Sequence, residues 1–352
     1  MSTSSTLSSQ QQLRDDLEVL LAHSRELSVG TSKLSKHSTL SLSYLTEGAA
    51  NVIWLIHIDY SRTPSDQHDI SYVLRTRKDL SSTVPLVQAR DQFNNRVVPL
   101  FSFNPSLLLP VNLISLSSAI IQHLNNLLVD AETTSKRKSA YRQVYLPSFD
   151  NEPHASVMPN LLRVSGVVIE FKPKWLLQSP SAPANAQRCR TCALNALRRQ
   201  QNHGSGRGDG GFCPLNLLSR NMTILQAALR NIWPTDGALS SFTTAFRLTV
   251  QPSLLELAQL QHQHNGVGLN DFLDAGKDFS VAMALRDCSV LIRTVQKDQD
   301  VAITDVKLLD LDLKDSGGGK REKWVKMEQE LIDGGWYTSS NPQSGCALAS
   351  RP

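Results

Sequence analysis

Six residues, Glu170-Phe171-Lys172-Pro173-Lys174-Trp175, constrain the fold more tightly than any other stretch, because a proline fixes the backbone between two lysines. A residue before proline is pushed out of the helical region toward extended conformation. In a strand, residues i and i+2 point to one face, roughly 6–7 Å apart. The expectation is a strand over residues 164–174 that presents two ammonium groups to one ligand, a spacing suited to neighbouring phosphates on a small polyphosphorylated molecule. Taken alone, the six residues fit an amphipathic edge strand still better, with Lys and Pro guarding it against aggregation. The rest of the chain decides between the two.

At 352 residues the chain is long enough for two lobes. No run approaches the 18 uninterrupted apolar residues of a membrane span, and Met1-Ser2-Thr3-Ser4-Ser5 has no basic-then-apolar signal design, so neither secretion nor membrane insertion is expected. The five cysteines are odd in number and include one C-x2-C pair, which points to a reducing compartment, nucleus or cytoplasm. A net charge of +4 is too small to be a nucleic-acid signature, and a monomer that binds no nucleic acid is expected. The positive charge is nonetheless clustered, at Lys136-Arg137-Lys138 and within residues 188–199 and 320–326.

Residues 1–12 are rich in Ser, Thr and Gln and read as disordered, followed by an amphipathic helix over 11–28. From 41 to 78 the pattern is an antiparallel meander with a turn at Glu47-Gly48-Ala49-Ala50-Asn51. Residues 107–129 read as strand and then helix, and residues 193–200, 221–232, 253–264 and 269–285 as helices. Strands are expected over 289–295, 301–304 and 306–313, and the glycine-rich stretch 204–211 as a flexible loop.

Leu309, Leu311 and Leu313 alternate with Asp310, Asp312 and Lys314, so the polar three share a face of the expected strand. A solvated sheet face and a divalent cation site both fit; Mg2+ takes one or two carboxylates plus substrate phosphates. Arg286-Asp287-Cys288-Ser289 falls where a helix stops and a strand begins, a common place for a catalytic acid. The small side chains of the 47–51 turn let backbone N–H groups approach a triphosphate, although an ordinary hairpin turn reads the same way. Arg75 on the next strand is either a cation for those phosphates or a solvated strand residue.

In this order the motifs resemble those of the inositol-pentakisphosphate 2-kinases, particularly fungal ones. The similarity rests on Glu47-Gly48-Ala49-Ala50-Asn51, Val73-Leu74-Arg75, Glu170 to Trp175, Arg188-Cys189-Arg190-Thr191-Cys192, Arg286 to Ser289 and Asp310 to Lys314, across about 40–330. It implies an α+β fold, a divergent protein-kinase-like architecture with a β-rich N-lobe and a larger C-lobe. It also implies transfer of the γ-phosphate of ATP, with Mg2+, to the 2-hydroxyl of inositol 1,3,4,5,6-pentakisphosphate.

By the same resemblance, Glu47, Gly48, Ala49, Ala50, Asn51, Arg75 and Glu170 belong to the ATP side, and Asp310 with Asp312 to the metal. Lys172, Lys174, Arg190, Arg198 and Lys314 belong to inositol phosphates, the further substrate cation falling at Lys320 or Arg321. Asp287 is the implied catalytic aspartate, with Lys172 beside it. Five phosphates bring a charge of about −8 to −10, so such a pocket needs many converging cations.

The domain expectation is a leader over 1–37, an N-lobe over 38–163, a C-lobe over 164–335 and a flexible tail over 336–352. Cys189, Cys192, His203 and Cys213 have the ligand types for zinc, but the glycine-rich spacing weighs against a site, and the expectation is thiols without stoichiometric zinc. Two rival functions stand beside the kinase: an inositol phosphate-binding scaffold without turnover, and a polyanion- or RNA-binding module.

Overall fold

A computed structural model of the chain describes residue 15 and residues 39–59, 72–81, 83–109, 111–162, 166–201, 211–234, 237–264, 268–269, 278–313, 320–339 and 345–349. The expected N-terminal helix apart from Asp15, the 204–211 loop apart from Gly211, His203 and Lys314 lie outside these residues. The chain divides into two compact units, residues 1–91 with 110–163, and residues 92–109 with 164–352.

The first unit is built on β1 (Thr39–Glu47), β2 (Asn51–Asp59), β3 (Tyr72–Arg77), β4 (Asn112–Ser115) and β5 (His154–Pro159). They form one antiparallel sheet in the order β1-β2-β3-β5-β4. Alternation on β2 sends Val52, Trp54 and Ile56 to one face, where they meet Leu74, Ile114, Ala155 and Val157 in a single buried cluster. Of α1 (Leu86–Gln92) and α2 (Ser118–Thr133), the second closes that cluster with Ile120, Ile121, Leu124 and Leu128, a stripe at helical spacing. Ser117 starts α2 by accepting a hydrogen bond from the Ile120 amide.

The second unit holds β6 (Val168–Phe171), β7 (Ser289–Lys297) and β8 (Asp300–Leu309), antiparallel in the order β6-β7-β8. Around this sheet come α3 (Arg190–Gln201), α4 (Met222–Leu229), α5 (Leu239–Thr249), α6 (Gln251–Gln263), α7 (Phe279–Asp287) and α8 (Lys320–Asp333). Val290, Leu291 and Ile292 on the central strand are all buried, as expected of a strand covered on both faces. Gly166 is required: a Cβ there would lie 1.7 Å from the Thr294 carbonyl oxygen of β7.

Three expected elements differ. The lysine strand ends at Phe171, because Pro173 has no N–H for the ladder, and Lys174 turns into the left-handed region at φ 57°. The two strands expected over 301–313 are one, β8, with a bulge opposite Arg293 and Thr294. It ends at Leu309 because Asp310 is left-handed at φ 58°, so strict alternation does not continue to Lys314. Trp336, Tyr337 and Cys346, in the stretch expected as a tail, pack against the second unit, Tyr337 and Cys346 fully buried.

Candidate functional site

Lys174 and Asp310, two of the left-handed residues of the second unit, meet in one cluster of charges. Lys172 Nζ lies 2.8 Å from Asp310 Oδ2 and 3.7 Å from Asp287 Oδ1, and donates a hydrogen bond to the Asp287 carbonyl. Lys174 Nζ lies 3.0 Å from the same Asp287 Oδ1. The pair therefore converges as the sequence implies, through a proline-terminated loop rather than along a strand face. All four side chains are 35–44% exposed, so the cluster is open to a ligand. Burial lowers the Lys172 pKa, but the hydrogen bond and charge of Asp310, with the charge of Asp287, overcome it and hold the pKa above the ordinary lysine value.

Gln261 fixes the loop. Its side chain, 1% exposed, donates to the carbonyls of Lys174 and Leu285, both at 2.9 Å, and accepts from the Leu176 amide at 2.8 Å. One buried amide thus ties the left-handed lysine to the end of α7, two residues before Asp287. Left-handed backbone at a non-glycine residue costs roughly 1–2 kcal/mol, and such strain persists where the surroundings over-determine it.

Beside this cluster opens a cavity of about 800 Å³ in the second unit, lined by Lys172, Lys174, Arg190, Arg198, Arg286 and Asp287 among others. Its aromatic wall is a parallel stack of Trp175 on Trp324, centroids 6.1 Å apart. The Arg286 guanidinium lies 4.0 Å over the Trp175 ring, and Arg190 lies 4.8 Å over the same ring. Burial, then the nearby Arg190 charge, lowers the Arg286 pKa to about 10. Arg190 is itself buried and pairs with Glu328 at 2.7 Å; Glu328, fully buried, also accepts from Ser179 and Tyr337. Burial and then the Glu328 charge push the Tyr337 phenol well above its ordinary pKa. Arg321 lies 5.2 Å over Phe279, another cavity residue. Of Lys320 only the backbone, at the start of α8, is described.

Glu170 is exposed on β6, and Asp312 is partly buried two residues past Asp310.

In the first unit, Gly48, Ala49 and Ala50 form the tight connection between β1 and β2, closed by the Gly48 amide donating to the Asn51 carbonyl at 2.9 Å. Glu47 is buried beneath it, 2.6 Å from Lys78 and 2.8 Å from Arg137, and Lys78 Nζ also donates to the Gly48 carbonyl at 2.8 Å. Burial would raise the Glu47 pKa, but hydrogen bonds from Arg137 and Lys78 bring it below the ordinary value. The Lys78 pKa is lowered as well, there because burial outweighs the Glu47 attraction. Arg75, in the central β3, is partly buried and alternates to the face opposite Leu74 and the core.

Sequence reasoning missed Lys78, Arg137, Gln261 and Glu328. Arg137 belonged to a visible basic triplet, but nothing local marks which cation of three turns inward. Cys346 was missed as a neighbour of Cys189, Cys192 and Cys213, whose sulfurs it joins in one buried group.

Fold and cavity together define an α+β protein whose second unit gathers several cations and two aspartates at and beside one cavity. The sequence profile described as inositol-pentakisphosphate 2-kinase matches residues 44–266 and 248–330. The chain belongs to that family. It is 33% identical over 185 residues to the inositol-pentakisphosphate 2-kinase of Yarrowia lipolytica, covering 51% of this chain and 56% of the relative. It is 23% identical over 305 residues to that of Debaryomyces hansenii, covering 71% of this chain and 75% of the relative. The match to the Yarrowia protein thus spans little more than half of that relative's length.

Proposed function

We propose that this chain transfers the γ-phosphoryl group of ATP to the 2-hydroxyl of inositol 1,3,4,5,6-pentakisphosphate, giving the hexakisphosphate. Family membership supports the reading, and one observation carries it: Asp287, in the wall of a cationic cavity, is held by Lys172 and Lys174, and Lys172 joins it to Asp310. A solvated sheet face would not gather two cations, two carboxylates and two buried arginines around one opening.

In this reading the cavity cations Lys172, Lys174, Arg198 and Arg286 receive the substrate's phosphates, with Arg190 reaching them from its Glu328 pair. Asp287 accepts the proton of the attacking hydroxyl, and its lysine partners aim it. The hard oxygen donors of Asp310 and Asp312 fit Mg2+, which when bound neutralises charge on the transferring phosphates. Lys172, protonated at neutral pH, bridges Asp287 and Asp310 and fixes their separation. The 47–51 turn and Arg75 would hold the nucleotide, the buried Glu47–Lys78–Arg137 group keeping the turn rigid.

Incubation with ATP, Mg2+ and a panel of inositol phosphates, followed by separation of products, tests this. The expected product is the hexakisphosphate from the 1,3,4,5,6-isomer. Tight inositol phosphate binding without any product would replace the kinase by a scaffold.

A further inference from the structure

Trp175 ends the stretch that begins at Glu170 and carries no charge, yet two cations of the cavity meet at its ring. It lies between the left-handed Lys174 and Leu176, whose amide is fixed by the Gln261 side chain, and it is buried in the cavity wall. Its ring is parallel to that of Trp324, with 4° between the planes. Phe279 of α7 meets Trp324 edge-on at 6.4 Å and supports the stack.

Arg286 and Arg190, both buried, place their guanidiniums 4.0 Å and 4.8 Å from the Trp175 ring centroid. A cation within roughly 6 Å of an aromatic face is attracted by the ring quadrupole, and more strongly where water is excluded. Two like charges at one ring also repel each other: after burial, the Arg190 charge is the next cause of the lowered Arg286 pKa. Glu328 offsets Arg190 by pairing with it. The indole attracts in a different way, because it has no net charge. A carboxylate in its position would neutralise a guanidinium and compete with a phosphate for the same N–H groups. A ring face leaves those N–H groups and the charge to a ligand.

On the reading of this cavity as the inositol phosphate site, we propose that Trp175 is a positioning residue for the substrate, its π face holding the guanidiniums of Arg286 and Arg190 ready for phosphate groups. The Glu170–Trp175 stretch then serves four cations, the two lysines it carries and the two arginines it seats. These cations meet the substrate before and during transfer alike, so the effect falls on substrate affinity rather than on the chemical step.

The test replaces Trp175 site-specifically by tryptophans with increasing numbers of ring fluorines, which keep the shape and weaken the quadrupole. Calorimetry at each step measures binding of inositol 1,3,4,5,6-pentakisphosphate, with ATP as the second ligand. The dissociation constant of the inositol phosphate is expected to rise stepwise, by about 10-fold at full substitution, while that of ATP stays constant. Trp175→Leu should weaken the same ligand by about 10-fold or more, and Trp175→Phe should recover most of that loss. In an Arg286→Met background the effect of Trp175→Leu should shrink to about 3-fold or less, since the residue acts through the arginine. An unchanged dissociation constant across the fluorinated series, a Phe variant as weak as the Leu variant, or equal effects of Trp175→Leu with and without Arg286 would each overturn the role. Product formation by the wild type is read separately. Binding without turnover would overturn the kinase reading while the affinities still decide the role of Trp175, and a wild type that does not bind the inositol phosphate would overturn both.

Discussion

Lys174 joins two properties that proteins rarely combine in one residue: a cation in the proposed substrate cavity and a left-handed backbone. Replacement by glycine separates them, because glycine adopts positive φ without cost. Lys174→Gly is expected to raise KM for inositol pentakisphosphate by about 10-fold or more, as one charge-assisted contact is worth roughly 1.5–3 kcal/mol. Its stability should be unchanged or raised by up to about 1 kcal/mol. Loss of stability with unchanged KM would place Lys174 in the scaffold instead. Gln261 is the positioning counterpart, its side chain hydrogen-bonded to backbone groups of the loop and of α7. Gln261→Leu strands three buried polar groups at about 1–3 kcal/mol each. A drop in kcat alongside that destabilisation, in protein still folded by circular dichroism, is the outcome expected of a residue that aims Lys174 and Asp287.

Among the elements, β5, which joins β3 to β4, was not expected, whereas β1 to β3, β4 and α2 were legible because β2 alternates and α2 carries apolar residues at helical spacing, the two simplest signals a chain can give. Leu124, fully buried between them, provides the check. Leu124→Ala should cost about 2–5 kcal/mol in chemical denaturation, and a loss under about 1 kcal/mol would mean that α2 is not seated on the sheet. Helix α8 was not legible, since its buried stripe of Trp324, Glu328 and Leu331 has a carboxylate at its centre and so lacks an apolar period. Helix α5 hid behind its serines and threonines, which favour caps and turns over helix interiors. The β1–β2 turn was visible, but the charges beneath it were not. Glu47 ionises more easily in the folded chain than its ordinary value of 4.5, so its contribution is full above that pH and is lost as pH falls through the lower folded value. Wild-type stability should therefore fall as pH drops below about 4.5. Glu47→Gln should be less stable by about 3–5 kcal/mol at neutral pH and show a flatter acid limb, because buried Lys78 loses its carboxylate and Arg137 keeps its pair with Glu132 but loses that with Glu47. An acid limb as steep as that of wild type would assign the pH dependence elsewhere.

At the scale of the whole molecule, the candidate site was legible where function writes short motifs, in the 170–175 and 286–289 stretches, and illegible where it depends on long-range pairing. Arg190 meets Glu328, and Cys189 meets Cys346, across more than a hundred residues that no local pattern connects. The fold brings the lysine loop, the end of α7 and the residue after β8 to one point, and that convergence is what distinguishes an enzyme from a polyanion-binding surface. Turnover and binding measured side by side on Asp287→Asn test it most directly, because the change keeps the side-chain shape and leaves Lys172, Lys174 and Arg198 in place. Phosphoryl transfer should fall by about 100-fold or more while calorimetry shows inositol pentakisphosphate still bound. Transfer at the wild-type rate, or loss of binding in step with loss of turnover, would contradict the assignment of Asp287 as the group that receives the hydroxyl proton.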